Sequence, residues 1–216
     1  EDDARAFYFQ GKDNIPFHTI IWPAMLMGHG GLNLAEDVPA NEFLTLEGRP
    51  LSTSSGWAAW LPDYLERYDA DPLRYYLTSI MPETSDSDFT WDGFLQANNN
   101  ELVATFGNLA HRVLTLTTRN FDDAVPEPGE LGPDENAALE ACDTALKEAG
   151  EHLAGRRFRE GLRSFMALAQ HGNRYIDTRA PWKQVKEDRD GAATTLWTAL
   201  NIIETLRTIS YPYLPH

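Results

Sequence analysis

Cysteine is almost missing from this chain: Cys142 is the one thiol in 216 residues. A disulfide scaffold and any cysteine-rich metal site are therefore excluded, and a reducing compartment, the cytoplasm, is the default location. Long apolar runs are missing too. The best candidate, Ile20 to Met27, falls far short of the ~18 residues of a membrane span and is interrupted by Pro23. Positive charge is scarce, with 18 Lys+Arg against 33 Asp+Glu and a formal charge of −15. That balance excludes nonspecific nucleic-acid binding through a basic field over the whole surface. The sequence opens on Glu1 with no charged segment leading into an apolar one, so it does not read as a signal peptide. A chain that enters a strand by its sixth residue reads instead as a fragment of something longer.

What is present suits a packed core in one large domain or two small ones, with 42% hydrophobic and 24% charged residues. Ala6 to Phe9 reads as a core strand, Gly11 as a turn, and Phe17 to Gly28 as a helix. Strand, turn and helix make the unit of an α/β sheet. Gly28 to Gly31 breaks the helix, Glu42 to Leu46 reads as a second short strand, and Gly48 to Gly56 is a Ser/Thr-rich loop. From Asp63 onward the apolar spacing is helical, first at Tyr64, Leu65 and Tyr68, then at Leu73, Tyr76, Leu77 and Ile80, then from Trp91 to Asn120. A Pro/Gly-rich loop from Pro126 to Pro133 precedes helices over Asp134 to Leu153, Arg156 to Thr178 and Ala192 to Ser210, with a short segment Pro181 to Glu187 between the last two. The expected fold is mainly α: a helical bundle over 91–216, preceded by an α/β piece over 1–62 and a connecting segment over 63–90.

The scarce cations are concentrated. Gly150 to Asp190 holds nine of the 18 Lys+Arg against six Asp+Glu. This is either an ordinary solvated helix face or a local patch that docks a polyanion.

Three groupings carry chemistry. Asp13 and His18 flank a strand-to-helix turn, where ligands collect in open α/β sheets, and Trp22 follows His18 by one helical turn. Together they suit an amino-acid pocket with an aromatic wall, or equally a buried histidine beside a core tryptophan. Asn108 and Arg112 are four apart on one helix and share a face. They offer an amide and a planar guanidinium fork to a base edge. Trp182, preceded by Pro181, supplies a stacking plane of the kind that single-stranded RNA loops use, or else belongs to the core.

Four patterns in order resemble methionyl-tRNA synthetase, specifically its C-terminal half, and the resemblance covers essentially the whole chain. They are Gly11-Lys12-Asp13 with Phe17-His18 and Trp22-Pro23-Ala24-Met25-Leu26; the loop Glu47 to Gly56; Tyr68-Asp69-Ala70-Asp71 with Leu73-Arg74-Tyr75-Tyr76; and Gly107-Asn108-Leu109-Ala110-His111-Arg112, followed by Asn173-Arg174-Tyr175-Ile176 and Ala180-Pro181-Trp182. The resemblance implies a helical anticodon-binding bundle preceded by the C-terminal α/β piece of a Rossmann-type catalytic domain. It implies a ligase that uses ATP with Mg2+ to join methionine to its tRNA through methionyl-adenylate. Asp13, His18 and Trp22 would line the methionine pocket, and Asn108, Arg112, Pro181 and Trp182 would meet the anticodon loop. No metal ligands are implied. Pro50-Leu51-Ser52-Thr53-Ser54 stands where the family carries its signature Lys-Met-Ser-Lys-Ser loop, so Ser52, Thr53 and Ser54 would serve catalysis, and Arg49 with Thr53 would bind ATP. Both signature lysines are replaced here, by Pro50 and Thr53. A fragment of this kind is expected to bind tRNA, to hold no cofactor and to be inactive alone. The other classes open to the sequence are a stand-alone tRNA-binding module and a helical protein-interaction scaffold.

Overall fold

A computed structural model describes residues 4–216; residues 1–3, where the expected first domain begins, lie outside the described residues. The chain divides into two compact units, one of Glu1–Arg67 with Ile80–Trp91 and the other of Tyr68–Ser79 with Asp92–His216.

The first unit is built from very short strands. β1 (Ala6–Phe7) and β2 (Gln10–Gly11) pair in parallel with β3 (Ala35–Asp37) and β4 (Ala40–Asn41), respectively. Parallel pairing demands a crossover. It is carried by a 3-10 turn at Lys12–Asn14, a widened i→i+5 helical turn at Phe17–Ile21, and helix α1 (Trp22–His29). Gly30, at φ 78°, ends α1 with its N–H on the Leu26 carbonyl (3.0 Å). The core strand expected over Ala6 to Phe9 is corrected: β1 ends at Phe7, the Tyr8 N–H still reaches the Asp37 carbonyl (3.1 Å), and Phe9 is 51% exposed. The strand expected over Glu42 to Leu46 is confined to β5 (Leu44–Leu46), which runs antiparallel to β6 (Arg49–Pro50) and parallel to β7 (Ser87–Phe89). The β5–β6 turn is the pair Glu47 and Gly48, both at positive φ (51° and 72°), as a tight two-residue hairpin requires. Asp88 Oδ1 accepts the Gly48 N–H at 2.9 Å and fixes that turn. Helix α2 (Leu61–Leu65) completes the unit's regular elements.

The second unit is helical, as expected. It contains α3 (Ala70–Ser79), and its longest continuous run is α4 (Trp91–Gln96, of which Trp91 belongs to the first unit), a widened i→i+5 helix (Ala97–Gly107) and α5 (Asn108–Asn120) without a break. Three 22-residue helices follow, α6 (Pro133–Ala154), α7 (Phe158–Arg179) and α9 (Arg189–Ser210), with the short α8 (Pro181–Glu187) before the last. Their ends follow from local chemistry. Pro133 opens α6 at a position that needs no N–H donor, and the Glu135 side chain accepts the Gly132 N–H (3.0 Å). Asp188 caps α9 through the Gly191 N–H (3.0 Å). Helices α6, α7 and α9 pack on one another, α8 lies on α9, and α5 packs on both α7 and α9. Val113, Phe165, Ala169, Ile176, Leu196, Ile202 and Leu206 are wholly buried between them. Glu135 is buried as well, where it meets the Tyr175 hydroxyl (3.0 Å) and Arg179 Nε (3.1 Å). Burial pushes the Tyr175 hydroxyl well above its ordinary range, so it stays a donor to that carboxylate. Cys142 is buried on α6, and burial raises its thiol, which leaves it unsuited to nucleophilic work.

Candidate functional site

In the helical unit, α5, the end of α7 and the start of α8 converge on one exposed group. Arg112 is half-buried, and its guanidinium carbon lies 5.0 Å from the centroid of the Trp182 ring. Asp177, on the last turns of α7, accepts from Arg112 Nη2 at 2.7 Å. The planar fork is thereby held over an indole that stays 36% exposed, an arrangement that combines cation–π attraction with an anchored charge. Asn108 is exposed one helical turn before Arg112. Between α7 and α8 the chain turns at Ala180 in the left-handed conformation (φ 47°), which starts a new helix at Pro181 and sets Trp182 beside Arg112. Pro181 differs from its sequence-based role. It is wholly buried, so it presents no surface to a ligand and serves by fixing the first turn of α8 under Trp182. Asp177 is a member of the group that the sequence reading missed; its position five residues before Trp182 gives no periodic signal.

In the first unit the Ser/Thr loop is a closed turn at the end of β6. Ser52 and Trp57 exchange two backbone hydrogen bonds, each 2.9 Å. Within it Ser52 Oγ and Ser54 Oγ are 3.2 Å apart, Ser55 N–H reaches Ser52 Oγ at 3.3 Å, and Thr53 is exposed. Trp57 seals the base, its indole N–H donating to the Leu46 carbonyl (3.0 Å). Arg49 lies with its guanidinium carbon 4.2 Å from the Trp57 ring centroid. The Arg49 cation is thus held over the ring of Trp57, the residue whose backbone closes a loop that lacks both lysines.

Of the three residues expected in the methionine pocket, the structure joins His18 and Trp22 through a residue not singled out from sequence. Tyr8 OH accepts the Trp22 indole N–H at 3.2 Å, and the Tyr8 ring meets the His18 ring edge-on at 6.1 Å. His18 Nδ1 is 3.1 Å from the Asn14 carbonyl; a carbonyl only accepts, so the proton sits on Nδ1 and Nε2 is left for another partner. Trp22 is 40% exposed rather than core. Asp13 stands apart from this aromatic set, in the 3-10 turn, with its carboxylate taking a hydrogen bond from Asn14 Nδ2 (3.3 Å). A Cβ at Gly11 would lie 2.9 Å from Asp13 Oδ1, so a side chain there would shift that carboxylate. The neighbouring Lys12 is bound by Glu42 and by Asp86 (2.9 Å) and lies over the Phe43 ring, 4.2 Å from its centroid. That cation ties the turn to two later segments.

The chain thus combines a small α/β unit that carries a closed hydroxyl loop with a helical unit that presents an amide, a guanidinium and an indole. Residues 1–114 match the family model for "tRNA synthetases class I (M)", and residues 125–216 match the "Anticodon binding domain of methionyl tRNA ligase". The chain belongs to the methionyl-tRNA synthetase family. It is 54% identical over 213 residues to the methionine--tRNA ligase of Thermomicrobium roseum, covering 98% of this chain and 36% of that protein. With the methionine--tRNA ligase of Thermococcus kodakarensis the identity is 46% over 224 residues, covering 100% of this chain and 30% of the relative. Among solved structures, the Mycobacterium tuberculosis methionyl-tRNA synthetase in complex with methionyl-adenylate superposes with a TM-score of 0.90 at 26% identity, covering 97% of this chain and 42% of that one. The chain thus spans about a third of the length of the curated relatives it matches.

Proposed function

We propose that this chain is the anticodon-reading and signature-loop portion of a methionine--tRNA ligase, which activates methionine with ATP and passes it to its tRNA. The observation that carries the reading is the Arg112–Trp182 pair, with the guanidinium 5.0 Å above an exposed indole and anchored by Asp177. A base of the anticodon loop stacks on Trp182 while Arg112 and Asn108 address its edge. The basic stretch on α7 supplies sequence-independent attraction to the tRNA backbone, and the acidic remainder of the surface limits promiscuity.

In the first unit, Tyr8, His18 and Trp22 form an aromatic wall for the methionine side chain, with Asp13 a polar group at the turn before it. Ser52, Thr53 and Ser54 hold phosphate oxygens through hydroxyls and turn N–H groups. Activation builds negative charge on the transferred phosphate and the leaving pyrophosphate, so a fixed cation lowers the barrier; Arg49 takes that role where the lysines are absent. Mg2+ accompanies ATP as its counterion. Among the described residues no cluster of three His, Cys, Asp or Glu side chains is placed to hold a metal, and no side chain is assigned to the ion. No helix among them is long and apolar enough to cross a membrane; with its single buried thiol the protein suits the reducing cytoplasm.

The free-standing module and the protein-interaction scaffold are not favoured, because the first unit as well as the bundle falls within synthetase family models. The test is methionine-dependent ATP–pyrophosphate exchange beside binding of methionine tRNA by the 216-residue chain. The expected result is tRNA binding without exchange; exchange above background would show that these residues suffice for activation, and failure to bind methionine tRNA in preference to another tRNA would remove the anticodon role.

A further inference from the structure

The widened helix that leads into α5 has a partner on α7, and the two meet next to Asn108. Over Ala97–Gly107 the backbone follows the i→i+5 pattern and returns to α geometry at Asn108. At that junction the Asn108 N–H is shared between the Thr105 and Val103 carbonyls. Widened turns inside helices are frequent at functional sites. The Thr105 carbonyl has a further donor in Asn173, half-buried on α7: its Nδ2 donates to that carbonyl at 2.9 Å and to the Ala169 carbonyl of its own helix at 3.0 Å. Both amide protons are used and both acceptors are carbonyls, which fixes the orientation of the side chain.

A second observation places α7 tightly against the same point. A Cβ added at Gly172 would lie 2.7 Å from Leu109 Cδ2 and 3.1 Å from Ile202 Cγ2. Only glycine lets α7 approach α5 this closely, and the contact falls on the residue after Asn108. Residues on both sides of Asn108, Thr105 and Leu109, are therefore gripped by the adjacent Gly172 and Asn173, while Asp177, one turn further along α7, holds Arg112.

We infer that Asn173, seated by Gly172, is a positioning residue for anticodon reading: by bonding the Thr105 carbonyl it sets where the widened helix ends and so aims Asn108 and Arg112. The inference rests on the anticodon role proposed above. The leverage is large because each residue turns an α-helix by about 100°, so a small slip of this junction swings Arg112 off the Trp182 ring.

The experiment titrates the 216-residue chain with two RNA stem-loops, one carrying the methionine anticodon and one with its first base altered, at two salt concentrations, with a melting curve for each variant. Asn173→Ala is expected to cut the preference for the matched stem-loop at least fivefold, while the salt dependence stays as in the unmodified chain because no phosphate contact is lost. Asn173→Asp keeps the size but not the donors; its added charge acts on both stem-loops alike, so the ratio again isolates aiming, and the same fall is expected. A folded variant of either kind that keeps the full ratio overturns the inference. Should the unmodified chain itself show no preference, it is the anticodon reading that fails.

Discussion

The two units solve burial differently. In the helical unit, long amphipathic helices close on each other, and residues such as Val113, Phe165 and Leu196 lose all contact with solvent. In the α/β unit, strands of two or three residues support few buried side chains, among the described residues Leu26, Leu46, Tyr64, Pro82 and Phe89, while Phe17, Ile20, Met25 and Met27 around α1 stay 56–70% exposed. The difference separates two ways of placing a side chain. The bundle aims Arg112 and Trp182 through a packed core, whereas the α/β unit fixes its loop and turn with local polar ties: Trp57 to Leu46, Asp88 to Gly48, and Lys12 to Glu42 and Asp86.

Truncation at matched aromatics breaks this contrast most forcefully. Phe165→Ala removes a wholly buried ring that meets Phe106 edge-on at 5.1 Å and is expected to cost about 3–5 kcal/mol in urea unfolding. Phe17→Ala, at an exposed position, is expected to change stability by no more than about 0.5 kcal/mol. Equal losses at the two sites would erase the distinction between the units.

Next in size is the polar tie inside the bundle. Glu135→Ala strips the partner from Tyr175 and from Arg179 Nε and the acceptor from the Gly132 N–H, at an expected cost of about 3 kcal/mol read from the same unfolding curves. Because Arg179 ends α7 just before Pro181, this variant is also expected to weaken stem-loop binding in any fraction that stays folded.

A smaller effect separates specific from general attraction to RNA. Arg112→Ala is expected to lose about 1–3 kcal/mol of binding and to relax discrimination between anticodons. Arg157→Ala, whose guanidinium is exposed near Glu160 (3.5 Å), is expected to weaken all stem-loops alike and to reduce the salt slope by about one charge. Identical profiles for the two arginines would place both in the nonspecific field.

The smallest effect lies in the α/β unit and appears as pH dependence. Hydrogen bonding to Lys12 first, and to the Phe43 N–H second, holds the Asp86 carboxyl below its ordinary 3.8. A depressed carboxyl contributes stability that is present above pH 3.8 and is lost as the pH falls through the lower folded value. In Lys12→Met the Asp86 midpoint, followed by carboxyl NMR, is expected to rise toward 3.8; an unmoved midpoint would show that Lys12 is not its main partner.

The same contrast decides what the sequence disclosed. Three- and six-turn amphipathic stripes in the bundle mark their own helices, and the run expected from Trp91 to Asn120 and the segment Pro181 to Glu187 coincide with the observed ones. The widening over Ala97–Gly107 was not legible, since no residue type in that run marks an i→i+5 pattern and the Asn173 donor to its Thr105 carbonyl lies 68 residues away in sequence. In the α/β unit β3 and β6 are too short to show alternation, and the role of Tyr8 arises from a contact to Trp22 fourteen residues away. Asn108, Arg112 and Trp182 could be proposed because motif order carried them. The burial of Pro181 could not, because nothing in a Pro-Trp pair states which of the two faces the core.

The most direct measurement of the central claim is titration of Trp182→Ala against the matched and altered stem-loops, beside its melting curve. Loss of one base stack is worth about 1–3 kcal/mol, so matched binding should weaken roughly five- to a hundredfold while the melting temperature stays close to that of the unmodified chain. Unchanged binding, or a variant that merely unfolds, would make Trp182 a structural residue and contradict the anticodon site at its most specific point.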